Sequence, residues 1–203
     1  MNEKLLRELV EHRETVLGRI TDSHLRRYDT LQRTLHATDV SADREYQKLF
    51  NGFYRMQRRR AEWYKFFFSM LQEEKNNNSV TFGHVLETVY RHQHRVEPSF
   101  SSKLVATIRP DMPVYDRYVR ENLELSIPKA HLRADRRIQM FAALYVDLQT
   151  KLRELVRTDR FRELEAAFDQ RFPAYTHFTD VKKLDLFLWQ HRRMQQQDTR
   201  EQS

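Results

Sequence analysis

The sequence predicts an all-α protein, one globular domain of about eight to ten helices with room for two lobes. Three observations carry this. Apolar residues recur at three- and four-residue spacing nearly throughout, as in Leu5, Leu6, Leu9, Val16, Leu17 and Ile20. Only 3 Gly and 5 Pro occur in 203 residues, too few turn formers for an all-β fold. The 13 Phe, 9 Tyr and 2 Trp supply a core, which argues against disorder despite 32% charged residues.

The domain is expected to span residues 1–194. Residues 1–36 read as an N-terminal helical pair. Its second member is capped by Asp22 or Ser23 and carries Leu25, Tyr28, Leu31 and Leu35. HATDVSAD, 36–43, is rich in capping residues and marks a turn. A helical core, 43–194, follows. Tyr46, Leu49, Phe50, Phe53 and Met56 lead into the basic cluster RMQRRR. EWYKFFFSML is apolar around most of its circumference, as a central buried helix should be.

KNNNS, 75–79, is the clearest loop. Beyond it Phe82, Val85, Leu86, Val89 and Tyr90 share one face. After HLRADRR a long helix carries Ile138, Phe141, Leu144, Tyr145, Leu148, Leu152 and Leu155. A shorter helix follows with Phe161, Leu164 and Phe168. The last begins near Thr179 and shows Val181, Leu184, Phe187, Leu188 and Trp189, with Asp180, Lys182, Lys183 and Asp185 expected as surface ion pairs. Polar residues 195–203 read as a disordered tail.

Charge narrows the function. The 36 Lys+Arg against 29 Asp+Glu give a net +7, which favours a polyanionic partner: DNA first, with RNA also admitted. The absence of cysteine excludes disulfides, iron–sulfur clusters and thiolate zinc sites. No Gly-rich phosphate loop is present, and no cofactor is implied. His84, His92 and His94 lack metal-ligand spacing on a helix, so no metal site is expected. MNEKLLRELVEHRE is amphipathic and lacks the apolar run of a signal peptide. No stretch approaches membrane-spanning length, so no membrane partner is expected and the compartment reads as cytoplasmic.

Two basic sets are candidates for phosphate contact. Arg55, Arg58, Arg59 and Arg60 are flanked by Tyr54, Trp63 and Tyr64. That mixture suits phosphates and stacked bases, or a solvated face whose aromatics point inward; the inward reading is favoured for the aromatics. Lys129, His131, Arg133, Arg136 and Arg137 form the second set.

The least ordinary stretch is EPSFSSKLVATIRPDMPVYDRYVRENL, 97–123. It resembles the helix-hairpin-helix DNA glycosylase superfamily, the group that includes endonuclease III. There a hairpin reading roughly Leu-Pro-Gly-Val-Gly-Arg-Lys runs into an apolar helix, and a Val-Asp opens a later one. Pro98 stands at the hairpin proline, Phe100 at its apolar residue, Lys103 at the lysine of members with lyase activity, and Asp116 at the catalytic aspartate. RYVRENLEL resembles the helix carrying that aspartate's neighbours, and TDVKKLDLFLWQHRR a late core helix. Three departures stand out. Ser99 and Ser101 replace both hairpin glycines, the lysine-to-aspartate gap is shorter, and no cluster-binding cysteines follow.

The resemblance implies a glycosylase-like helical arrangement and base excision from flipped-out nucleotides. Asp116 would stabilise positive charge on the sugar or orient water. Lys103 would attack C1′ and form a Schiff base, provided its apolar seat frees the lone pair. Ser99, Ser101 and Ser102 would meet a DNA phosphate in place of the glycines. The turn IRPDMP would bring Lys103 and Asp116 to one cleft.

Simpler readings compete residue by residue. Asp116 near a helix start is a natural cap, and Lys103 snorkels from a core helix. Two other functions remain open: a non-catalytic DNA- or RNA-binding module, and a helical subunit that docks a protein partner through helices 3–36.

Overall fold

The computed structural model describes the backbone of residues 2–201 and the side chains of residues 3–191. It is all-helical, with no strand among the described residues. In chain order the helices are α1 (Asn2–Glu11), α2 (Arg13–Arg19), α3 (Asp22–Thr34), α4 (Arg44–Tyr54), α5 (Ala61–Glu74) and α6 (Phe82–Gln93). They continue with α7 (Pro98–Ile108), α8 (Arg117–Asn122), α9 (Ala134–Leu155), α10 (Asp159–Arg171), a 3₁₀ turn at Pro173–Tyr175, and α11 (Asp180–Glu201).

Several helices start where a side chain takes an orphan amide, whereas α2, α5, α7 and α9 start without one. Asp43 accepts from Tyr46 N at 2.9 Å, Thr81 from His84 N at 3.3 Å and Thr158 from Phe161 N at 3.2 Å. The 36–43 turn is as expected, with Asp43 as its last residue before α4.

The chain divides into two compact units, and the boundary differs from the one expected at 36–43. One unit is Asp22–Arg109; the other joins Met1–Thr21 to Pro110–Ser203. The predicted helical pair is thereby split, because α1 and α2 pack against α10 and α11 whereas α3 packs on α4.

In the unit 22–109, aromatic side chains fill the centre. Phe50 lies 5.5 Å from both Phe67 and Phe68, and all three are fully buried. Burying each ring contributes about 2–3 kcal/mol, so these three positions dominate the packing of α4 against α5. EWYKFFFSML lies in α5 but is buried on one face rather than all round. Trp63, Phe67, Phe68, Met70 and Leu71 are buried, Glu62 and Lys65 are exposed, and Phe66 is half-exposed and stacks on His92 at 3.8 Å. The KNNNS loop also differs from a purely solvated one. Lys75 is buried, and its ammonium donates to Thr38 O at 2.7 Å, holding down the preceding turn.

In the other unit, α11 is the hub. Every residue from Val181 to Leu188 is buried, and the helix packs on α2, α8, α9 and α10. This overturns the surface ion pairs expected there. Lys182, Lys183 and Asp185 are only 6%, 1% and 9% exposed. Burial on all sides left no solvated face for them, so each is paired inside the unit: Lys182 with Asp185 at 2.7 Å, Lys183 with Asp169 at 2.7 Å. The Leu5, Leu6 and Leu9 stripe of α1 is buried in the same unit, and Leu25 is buried in the other. The residues 195–203 expected as a disordered tail lie beyond the described side chains; the backbone of α11 is helical to Glu201.

Candidate nucleic-acid interface

Four of the six residues from Arg55 to Arg60 are arginine, and this run forms the connection between α4 and α5. Arg55 ends α4 in the left-handed region at φ 52°, and Arg58 adopts φ 63°. Side chains with a Cβ rarely sit there, and each such residue costs about 1 kcal/mol or more. Two anchors hold the connection in place. Met56 is buried, and its carbonyl accepts from Tyr64 Oη at 3.0 Å. Arg55, Arg58 and Arg60 are exposed around these anchors, whereas Arg59 turns inward.

The Arg59 guanidinium lies 3.0 Å from a Glu97 carboxylate oxygen, 4.6 Å from the Phe100 ring centre and 5.5 Å from that of Trp63. Arg95 reaches the same Glu97 oxygen at 3.8 Å. Glu97 belongs to the turn between α6 and α7, which begins with His94 at φ 54°. One ion pair therefore joins two turns that each hold a residue at positive φ. Fully exposed pairs of this kind are worth little, but Arg59 and Glu97 are only 23% and 15% exposed, and the guanidinium rests on aromatic rings.

The flanking aromatics point inward, the reading favoured for them from sequence. Tyr54 and Trp63 are buried, and the Tyr54 hydroxyl accepts from Thr107 Oγ1 at 3.0 Å. Phe100 is half-buried against Trp63 at 4.7 Å. Lys103 is half-buried too, with Nζ 5.2 Å from the Phe100 ring centre, where the ring quadrupole attracts an ammonium.

The serines need correction. Pro98 is the first residue of α7, so Ser99, Ser101 and Ser102 lie inside its opening turns rather than in a hairpin loop. Ser101 and Ser102 are fully buried, and their hydroxyls donate to Glu97 O at 3.0 Å and Ser99 O at 2.9 Å. Committed inside the helix, these two cannot meet a phosphate. The turn that joins two packed helices is His94–Glu97, just before the expected hairpin.

Asp116 caps α8. Its Oδ1 accepts from Tyr118 N at 2.8 Å and Val119 N at 2.7 Å. It belongs to the unit containing Pro110–Ser203, whereas Lys103 belongs to 22–109. The second basic set lies in Asp116's unit, along the α8–α9 connection and the start of α9. Lys129, His131, Arg133 and Arg136 are exposed, with Arg133 3.3 Å from Asp135, whereas Arg137 is half-buried.

The charge surplus is concentrated. Residues 22–109 hold 15 Lys+Arg against 10 Asp+Glu, and the rest of the chain 21 against 19, so 5 of the 7 surplus charges fall in the smaller unit. The sequence reading missed Glu97 and Arg95, the acid that gathers the arginines and its neighbour. A glutamate before a helix-opening proline, two residues from an arginine, was the available signal. No family model, no curated protein and no solved structure matches the chain.

Proposed function

We propose that the chain binds nucleic acid, DNA in the first instance, through the α4–α5 and α6–α7 turns of residues 22–109. The observation that carries this reading is the Arg55–Arg60 turn, in which three exposed arginines surround one that is locked down. Holding Arg55 and Arg58 at positive φ costs stability, and such outliers gather at binding sites. Phosphates would meet Arg55, Arg58 and Arg60, and their neutralisation would release counterions.

The test is charge reversal with a salt titration. Arg58→Glu with Arg60→Glu should weaken duplex and single-strand binding tenfold or more. The slope of log K against log salt should become shallower by about 1 for each phosphate that is no longer neutralised. Binding unchanged in that variant, but abolished in Lys129→Glu with Arg136→Glu, would move the interface to the other unit.

Base excision is the second reading, supported by Lys103 in its half-buried seat beside Phe100. Borohydride trapping on duplexes with abasic sites, wild type beside Lys103→Ala, tests it. An adduct that disappears in the variant assigns Schiff-base chemistry to Lys103. No adduct with either protein leaves binding alone.

A further inference from the structure

Glu97 occupies the N-cap position of α7, yet its side chain makes no capping hydrogen bond. Glutamate is a poor cap, and the position ordinarily takes a short acceptor. The carboxylate instead lies against Arg59 at 3.0 Å and Arg95 at 3.8 Å. Beside them Trp63 is 6% exposed, and its indole Nε1 has no hydrogen-bond partner among the described residues. A buried N–H without an acceptor is uncommon in a native core. Two guanidinium groups and the positive end of α7 thus gather around one internal anion, with the Trp63 ring under one of the guanidiniums.

We infer that Arg59 and Arg95 form a phosphate seat that Glu97 fills in the unliganded protein, so that a phosphodiester binds by displacing this carboxylate. The inference rests on the nucleic-acid reading above and adds to it a location and a built-in competitor. Displacement is feasible because Glu97 sits on a four-residue turn between two helices and its side chain has no tie to the α7 amides. Arg59 stays over Trp63 and Phe100 throughout, which keeps the seat formed while its occupant changes. An internal occupant lowers apparent affinity by the fraction of time the seat is open.

The test uses the full chain carrying Trp189→Phe, so that Trp63 alone reports by fluorescence, with and without Glu97→Gln. The probes are inorganic tripolyphosphate and a single-stranded oligothymidylate. Glu97→Gln should bind tripolyphosphate about tenfold more tightly, with a change in Trp63 emission, and should tighten the oligonucleotide as well. If tripolyphosphate tightens while neither protein binds the oligonucleotide, the seat stands and the nucleic-acid reading falls. If Glu97→Gln binds tripolyphosphate no better than its parent, or less well, the inference is overturned: Glu97 then organises the arginines instead of competing for them.

Discussion

The ammonium of Lys183 lies 2.7 Å from Asp169 Oδ1, and the lysine side chain is only 2% exposed. Glu165, one turn earlier on α10, approaches the same ammonium at 3.3 Å, and Arg162 extends the network through Glu165 to Asp180. A buried lysine is tolerated when its carboxylates accompany it, because desolvating a lone charge costs several kcal/mol. The network joins α10 to α11, the hub of its unit.

Stranding the ammonium should therefore do more harm than removing it, because Lys183 is 2% exposed whereas Asp169 and Glu165 are 31% and 21% exposed and Glu165 keeps Arg162. Asp169→Asn is expected to lose about 2 kcal/mol, moderated by the remaining Glu165, whereas Lys183→Met should stay within about 1.5 kcal/mol of wild type. Urea midpoints of the two variants check this order. The reverse order would mean that the carboxylates left without Lys183 cost more than the ammonium left without Asp169.

Acid should weaken the same unit in two stages. Burial holds His191 below its ordinary pKa of 6.5, against the opposing pull of the Glu8 carboxylate 3.6 Å away. The folded chain thus binds this proton less readily than the unfolded chain, so stability is complete above about 6.5 and falls as pH drops toward the folded value. Glu8→Gln removes the opposing pull and should deepen that loss; His191→Leu should abolish it. At lower pH comes Glu165. Burial pushes its pKa up, but the hydrogen bond from Arg162 and the charge of Lys183 leave it below 4.5, and its contribution disappears as pH falls through that lowered value. Thermal midpoints measured from neutral to acid pH, with an NMR titration of His191, would reveal both stages.

Asp116 offers a cleaner separation of structure from chemistry than the sequence suggested. Asparagine keeps the oxygen that accepts from Tyr118 N and Val119 N, so Asp116→Asn should melt within a few degrees of wild type. Asp116→Ala should lose about 1 kcal/mol of stability. Activity lost in the asparagine variant without a fall in melting temperature would assign the carboxylate a chemical role. A collapse of that variant's thermal midpoint would make Asp116 a structural cap whose charge matters.

His94 ends α6 with φ 54°, a place glycine normally takes, and its side chain is exposed. His94→Gly should raise stability by about 0.5–1 kcal/mol. If the turn also serves binding, the same variant should bind oligonucleotide less well. A stability gain accompanied by an affinity loss is the outcome to seek by differential scanning fluorimetry and anisotropy.

Helical periodicity made most elements legible. The Phe82, Val85, Leu86 and Val89 face and the Leu148, Leu152 and Leu155 face are buried as their spacing requires. Periodicity could not show which helices share a core. The leucines of α1 match α9 and α10, more than a hundred residues on, as well as they would match a neighbour. Nor could local charge reveal Lys183 as buried: KKLD reads as a surface motif until aromatic and aliphatic neighbours cover every face. At the candidate site the arginines announced themselves through their density. Glu97 did not, because its role depends on Arg59, distant in sequence and brought near only by the packing of the unit 22–109.

The division of the chain has a consequence for its birth on the ribosome. Residues 22–109 are continuous, so this unit has all its packing partners once Arg109 clears the exit tunnel. Residues 2–21 emerge first but must wait for α9, α10 and α11, the helices that bury Leu5, Leu6, Leu9, Val16 and Leu17. Until translation reaches α11, a leucine-rich nascent segment stays uncovered, the kind of surface that chaperones engage. Synthesis order thus leaves the apolar stripe of α1 and α2 exposed while more than a hundred further residues are added, up to the helices that cover it.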